Sequence, residues 1–150
     1  MSKSLIAALA WAGLAMAQQV PSGWKAVKSE KGTCQVSVPA DWTVDDFRMA
    51  KDPKKVFSLM ILHAQDAKMD PPEYRLVAYS PIKVFENTSK RVVLEDKTSR
   101  PGPGWPDPGR KFVGFAPHAT KGICQAILSV KVGGPEELAK QVVSTVSPAR

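Results

Sequence analysis

The sequence predicts an α+β fold, in which helices cover both faces of a mainly antiparallel sheet. About five segments carry the patterns of strands and follow one another over short links, which favours antiparallel neighbours. Two or three further segments carry helical patterns, and they stand before and after the later strands. Helices at both positions predict cover on both faces of the sheet.

The first residues, 1–17, have the three parts of a secretory signal peptide. Lys3 supplies the charge, Leu5–Leu14 is an apolar run, and Ala15–Ala17 forms a cleavage site of the A-x-A type. The run is too short for a transmembrane helix, which needs ~20 residues. The alternative is a buried N-terminal helix, but the run lacks the polar face of a surface helix. We therefore expect an exported protein, periplasmic or secreted, that begins at Gln18.

The remaining residues, 18–150, are enough for one domain with a single core. The whole chain has 21 Lys and Arg against 14 Asp and Glu, and removal of Lys3 leaves a net charge of +6. These charges are spread out, whereas nucleic-acid binders concentrate them in a patch or stripe with interleaved aromatics. We therefore expect no nucleic-acid partner and no transmembrane segment in the mature chain. Weak binding to an anionic surface stays open.

Strand patterns occur at 33–38, 56–63, 90–96, 110–117 and 122–132. The segment 43–55 is charged and irregular, with a short helical turn as one interpretation, and 73–89 fits either a helical stripe or an irregular segment that Pro81 interrupts. The closing helix has Gly134 and Pro135 at its start and Pro148 as its stop. Its apolar stripe consists of Leu138, Ala139, Val142, Val143 and Val146.

The two cysteines, Cys34 and Cys124, each lie on the apolar face of a predicted strand. In an exported protein, thiols of this kind tend to oxidise, so we expect a disulfide between them. The alternative is two buried free thiols in adjacent strands. If the bridge forms, the first and last strong strands have to be adjacent or nearly so, because bridged Cα atoms lie about 4.4–6.8 Å apart.

Residue patterns for catalysis or metal binding do not stand out. The histidines, His63 and His118, have no Cys, Asp or Glu at ligand spacing, and His63 fits a hydrogen-bonded residue at a strand end. Asp45 and Asp46 are adjacent and point in different directions, so an exposed turn explains them better than an acid–base pair. The sequence therefore indicates no catalytic residue, no metal site and no cofactor.

A loop at 99–109 carries four prolines and three glycines, which excludes regular structure. Trp105 lies at its middle, with Arg100 before it and Arg110 and Lys111 after it. An aromatic side chain between cations on a long loop makes these four residues a candidate contact for a partner protein or a sugar. The alternative is that Trp105 folds back over an edge of the sheet.

Three segments together resemble the PsbP/Mog1/DcrB-like group. They are "KGTCQVSVPADW", with its strand running into Pro-x-x-Trp, the covered strand "VFSLMILH", and "RKFVGFAPHATKGICQAILSVKVGGPEELAKQVVSTVSP", which is similar to the closing strands and final helix of the group. The resemblance covers about residues 24–148 and implies a three-layer α-β-α sandwich around an antiparallel sheet. Members of the group do not share one activity, and the signal peptide fits its exported bacterial branch.

We therefore expect a non-catalytic exported domain that binds a protein or takes part in an envelope assembly. The alternative is a small secreted hydrolase or small-ligand-binding protein with an unrecognised pocket. A cluster of Asp, Glu and His in a deep apolar-lined pocket would favour the alternative.

Overall fold

The computed structural model describes residues 20–65, 82–96 and 109–149. Strands make up 49% of these residues and helix makes up 8%. In chain order, the elements are β1 (Lys25–Lys28), β2 (Cys34–Val38), β3 (Thr43–Val44), β4 (Ala50–Lys51), β5 (Phe57–Ala64), β6 (Ile82–Asn87), β7 (Val92–Asp96), β8 (Arg110–Pro117), β9 (Ile123–Val130), α1 (Glu136–Val143) and β10 (Ser147–Pro148).

The described strands form two sheets. The larger sheet has seven strands in the order β3-β4-β5-β9-β8-β7-β6, and the smaller has three in the order β1-β2-β10. Every strand pairing in both sheets is antiparallel. The small sheet and α1 both pack on one face of the large sheet, and the main core lies between them.

This arrangement corrects the predicted fold class. An α-β-α sandwich with helices on both faces of one sheet is wrong: α1 is the single helix of the described residues, and the fold is rich in β structure. The sequence pattern identified β2 as a strand, but β2 leaves the main sheet and pairs with β1 and β10 instead. Strand patterns report burial and alternation, and they do not say which sheet a strand joins.

The five strands that the sequence predicted are present as β2, β5, β7, β8 and β9. Strand β9 shows why, because its alternate side chains, from Cys124 to Val130, are buried in the core while those between them are only partly buried. Strand β6 resolves the described half of the ambiguous segment as strand. Instead of a helical turn, β3 and β4 form a hairpin, because Asp45 binds the backbone of the turn between them.

The closing helix is present, and its predicted apolar stripe is buried or partly buried. It ends at Val143, earlier than Pro148 suggested, and the chain then extends into β10. The helix lies directly on β8 at Gly114. A Cβ atom at this position would overlap the carbonyl oxygen of Val143 and lie 2.8 Å from its carbonyl carbon. Glycine therefore sets the closeness of helix and sheet.

The predicted disulfide joins Cys34 on β2 to Cys124 on β9, with the Cα atoms 5.5 Å apart. Both cysteines are fully buried. The expected adjacency is wrong in one respect, because β2 and β9 belong to different sheets and face each other across the core. The bridge therefore ties the small sheet to the large one.

A second cluster of buried residues, Val92, Leu94 and Val113, lies on the opposite face of the large sheet. Ile82, Phe115 and Ile127 pack against it. The predicted signal peptide, and Arg100 and Trp105 of the predicted loop, lie outside the described residues. Among the described residues, no helix has the length and apolar character that crossing a bilayer requires.

Candidate functional site

The two histidines of the chain meet where the small sheet joins the large one. His63 lies near the end of β5 and His118 follows β8, and their rings stack with centroids 4.3 Å apart. Thr33, immediately before β2, binds both rings. Its hydroxyl lies 2.9 Å from Nδ1 of His63, and its carbonyl oxygen lies 3.1 Å from Nε2 of His118. The loop between β8 and β9 closes the cluster from the other side.

The hydrogen-bond partners indicate which nitrogen of each neutral imidazole carries the hydrogen. His63 donates its Nε2–H to the carbonyl oxygen of Lys121 at 2.7 Å, so its Nδ1 accepts from the hydroxyl of Thr33. His118 donates its Nε2–H to the carbonyl oxygen of Thr33, and its Nδ1 accepts from the amide and hydroxyl of Thr120 at 3.2 and 2.9 Å. All four ring nitrogens are therefore engaged with protein atoms.

This cluster brackets the disulfide. Thr33 precedes Cys34, and His63 is the cross-strand neighbour of Cys124 in the pairing of β5 with β9. Ser29 adds a further layer, because its hydroxyl accepts from the amides of Thr33 and Cys34 at 3.2 and 3.0 Å. The cluster thus connects the same two sheets as the bridge, with hydrogen bonds in place of a covalent bond.

The pair formed by Thr33 and His63 has the outline of a hydroxyl nucleophile and its base. Catalysis by such a pair also requires a pocket for substrate and donors for the developing oxyanion. Here the other nitrogen of the base binds a main-chain carbonyl, and the second histidine covers the ring. Within the described ranges, no group of three or more His, Cys, Asp or Glu residues is arranged to hold a metal ion.

Glu95 and Glu136 are also engaged with side chains of the protein. Glu95 is 2% exposed and receives two hydrogen bonds from the guanidinium of Arg110, at 2.6 and 2.8 Å. Arg110 also lies 3.3 Å from Glu136 at the start of α1, so this network joins helix and sheet. The pKa of Arg110 is raised, chiefly by its hydrogen bond to Glu95. The partly exposed Arg110 is thus engaged by two carboxylates of the fold, and Lys111 lies half-buried on β8 beside Ser129.

An open groove of about 380 Å³ lies between α1 and the strands β6 and β7. Phe85 and Val93 contribute its apolar surface. The pairing of β6 with β7 shifts register between Val84 and Glu86, and Phe85 is the extra residue at this bulge. The remaining lining residues are Glu86, Glu137, Lys140, Gln141 and Ser144.

Charges beside this groove are largely satisfied by internal pairs. Glu86 binds Arg91 through both carboxylate oxygens, at 2.9 and 3.1 Å. Glu137 lies 2.8 Å from Lys140, whose ammonium also lies over the ring of Phe85, 4.7 Å from its centroid. The groove therefore offers an aromatic floor between two ion pairs.

A second surface feature is the turn between β3 and β4, residues Asp45–Met49, hereafter the Phe47 turn. Oδ1 of Asp45 accepts hydrogen bonds from the amides of Phe47 and Met49, both at 2.9 Å, and Oδ2 lies 3.1 Å from Lys51. Arg48 has a backbone φ of 60°, in the left-handed region that residues other than glycine rarely adopt. These constraints shape the turn, and yet the side chain of Phe47 is 87% exposed.

The local sequence predicts neither the histidine cluster nor the exposure of Phe47. The histidines stand 55 positions apart, and their meeting depends on the order of the strands. Their position at strand ends was the available signal. In the sequence, Phe47 is an apolar residue in a charged segment, and this pattern does not distinguish an exposed side chain from a buried one.

Comparisons with known proteins give a likeness of fold alone. No protein-family model and no curated protein matches the chain. A match among solved structures is the crystal structure of an uncharacterised protein from Bacteroides thetaiotaomicron VPI-5482, with a TM-score of 0.52 and 14% sequence identity. The match covers 85% of this chain and 49% of that chain, so this chain spans about half the length of that protein. The resemblance to the PsbP/Mog1/DcrB-like group stays a prediction.

Proposed function

We propose that this chain is an exported, non-catalytic domain that binds a partner protein of the envelope or the extracellular space. The observation that carries this proposal is the position of the hydroxyl–imidazole pair: Thr33 and His63 lie at the junction of the two sheets and form no part of the lining of the groove at α1, β6 and β7. Both nitrogens of a catalytic base can be hydrogen-bonded, one to the nucleophile and one to the group that orients the ring, but the nucleophile has to face a substrate pocket. In this cluster, the same atoms join the two sheets.

Export is supported by two independent features. The first residues have the pattern of a signal peptide, and the buried disulfide between Cys34 and Cys124 is of the kind that persists in oxidising compartments. Binding is supported by the exposed Phe47, because aromatic side chains are enriched in protein–protein interfaces and this one lies on a turn that Asp45 holds in place.

The alternative, a small-ligand-binding protein or hydrolase, rests on one specific observation, the groove of about 380 Å³ floored by Phe85. Its volume lies within the usual range for ligand sites, roughly 300–1,000 Å³. The groove lies against α1, β6 and β7, whereas Thr33 and His63 lie beside β2 and β5. Its floor and the hydroxyl–imidazole pair thus belong to different elements.

The non-catalytic assignment is tested with purified protein and chromogenic ester, glycoside and peptide substrates. We expect the same background rate for the wild type and for Thr33→Val. Turnover by the wild type that disappears in Thr33→Val, with an unchanged circular dichroism spectrum, would contradict the proposal. Thr43→Val is the matched control, because Thr43 is exposed on the short edge strand β3.

A further inference from the structure

We infer that the Phe47 turn is the contact point of this domain, and that Phe47 inserts into an apolar pocket of a partner protein. The inference rests on the proposed function and adds the site and its mode of recognition. Exposure is its first support: at 87%, the ring of Phe47 is the most exposed of the large hydrophobic side chains in the described residues. Val44, on the same hairpin, is 50% exposed.

The second support is preorganisation. The carboxylate of Asp45 accepts hydrogen bonds from the amides of Phe47 and Met49. The amide of Asp45 donates to the carbonyl oxygen of Met49 at 2.9 Å, and the amide of Arg48 donates to the carbonyl oxygen of Asp45 at 3.0 Å. A contact residue on a fixed turn loses little conformational freedom on binding, which favours affinity. The aromatic ring is therefore presented on a rigid base rather than on a loose loop.

The third support is the charge at the tip, which favours a protein over a membrane. Phe47 lies between the exposed residues Asp46 and Arg48, one negative and one positive. Lys51, the next cation, is paired with Asp45. An anionic bilayer would attract Arg48 but repel Asp46, whereas a protein rim can carry a complementary charge for each. An aromatic anchor with polar neighbours is also the usual composition of a binding hot spot.

The shape of the site favours a different protein over a second copy. No residue of the Phe47 turn lines the groove at α1, β6 and β7, so two such turns do not place the ring of one copy in the groove of the other. If the side chain of Phe47 entered the groove of a second copy, the contact would be head-to-tail. Such contacts continue into filaments unless the copies form a closed cyclic oligomer. A partner with a pocket of its own encloses the aromatic side chain without either consequence.

The test replaces Phe47 with the photo-crosslinking residue p-benzoylphenylalanine in the full-length protein, in the organism that makes it. Matched positions are Val132, 62% exposed on the turn after β9, and Gln141 at the groove. We expect a discrete protein adduct from position 47 and none from position 132. The protein in that adduct, once purified, is then titrated with wild type, Phe47→Ala, Phe47→Trp and Val132→Ala.

Phe47→Ala is expected to weaken binding at least tenfold, while Phe47→Trp and Val132→Ala change it less than threefold. Because Phe47 is exposed, melting curves of these variants should coincide with that of the wild type. Adducts with lipid only, adducts between two copies only, or unchanged binding by Phe47→Ala would each overturn the inference. A protein adduct from position 141 alone would overturn it and leave the proposed function standing, and no protein adduct from positions 47 and 141 would count against both.

Discussion

His63 and His118 stack face to face, with ring centroids 4.3 Å apart, and Thr33 binds one ring through its hydroxyl and the other through its carbonyl oxygen. Thr33, which immediately precedes β2 of the small sheet, thus binds β5 and the loop after β8 in the large sheet. The hydrogen bonds of the histidine cluster run to the main chain and to threonines, and they place the cluster among the bonds that hold the sheets together.

Thr33→Val should lower the free energy of unfolding by about 1–2 kcal/mol, because it removes the hydroxyl that binds Nδ1 of His63 while keeping the shape of the side chain. Chemical denaturation measures the change. The control Thr43→Val, on an exposed edge strand, should stay within about 0.5 kcal/mol of the wild type. Equal effects of the two substitutions would show that the hydroxyl of Thr33 contributes nothing particular.

Replacing both Cys34 and Cys124 with Ala should lower the free energy of unfolding by about 2–4 kcal/mol. The bridge closes a loop across a sequence separation of 90, and its loss returns that freedom to the unfolded chain. In the native wild type, both cysteines are 0% exposed, so reduction by dithiothreitol should be slow until the chain is unfolded. Thiol titration of the unfolded, unreduced protein is the direct check, and two reactive thiols per chain would contradict the bridge.

Arg110→Met should destabilise the fold by about 3 kcal/mol, because it leaves the buried carboxylate of Glu95 without its bidentate partner. This value is the low end of the destabilisation that breaking a buried ion pair causes, roughly 3–5 kcal/mol. The low end applies because the Arg110 side chain is 37% exposed. The double variant with Glu95→Met should recover much of the loss, because the buried carboxylate is then removed together with its guanidinium partner. Lys111→Met is the neighbouring control, and an equal loss there would argue against the network.

Asp45→Asn should destabilise the fold near neutral pH and have a smaller effect in acid. Hydrogen bonds from the amide of Met49, followed by the contact with Lys51, hold the pKa of Asp45 below its ordinary value of 3.8. A carboxylate with a lowered pKa stabilises the folded state above the pKa of the unfolded chain, and this contribution is lost as pH falls through the folded-state pKa. Denaturation of both proteins across this window is the measurement, with Asp46→Asn as control. A difference between wild type and Asp45→Asn that does not shrink toward about pH 2 would contradict this account.

The parts of the fold that the sequence predicted are those with strong local patterns. Burial in strand β9 alternates from Cys124 to Val130, and α1 carries an apolar stripe that is buried or partly buried in the structure. The partnership of Cys34 and Cys124 followed from their apolar surroundings and the expected compartment. Each of these inferences needed only neighbouring residues or a count of cysteines.

The division into two sheets depended on weaker signals. Strand β1 buries only Val27, and β10 is two residues long with Pro148 as one of them. Proline lacks an amide proton and is confined to sheet edges, so it was interpreted as the stop of the helix rather than as part of a strand. With β1 and β10 absent from the prediction, β2 could only be assigned to the main sheet. The histidine stack was missed because its residues are distant in sequence. The Phe47 turn was missed because the segment 43–55 was interpreted as irregular or as a short helical turn, and it forms a hairpin.

The pairing of β2 with β10 has a consequence for the time at which this chain folds. Ser147 and Pro148 lie opposite Gln35 and Cys34, so a chain that emerges from its N-terminal side presents β2 long before one of its neighbours exists. Cys34 likewise lacks its partner until Cys124 has emerged, and until β10 follows, β2 has only β1 beside it in the small sheet. Contacts between distant parts of a sequence form slowly. The small sheet of this chain therefore cannot be completed before Ser147 and Pro148 are available, whichever part of the large sheet forms first.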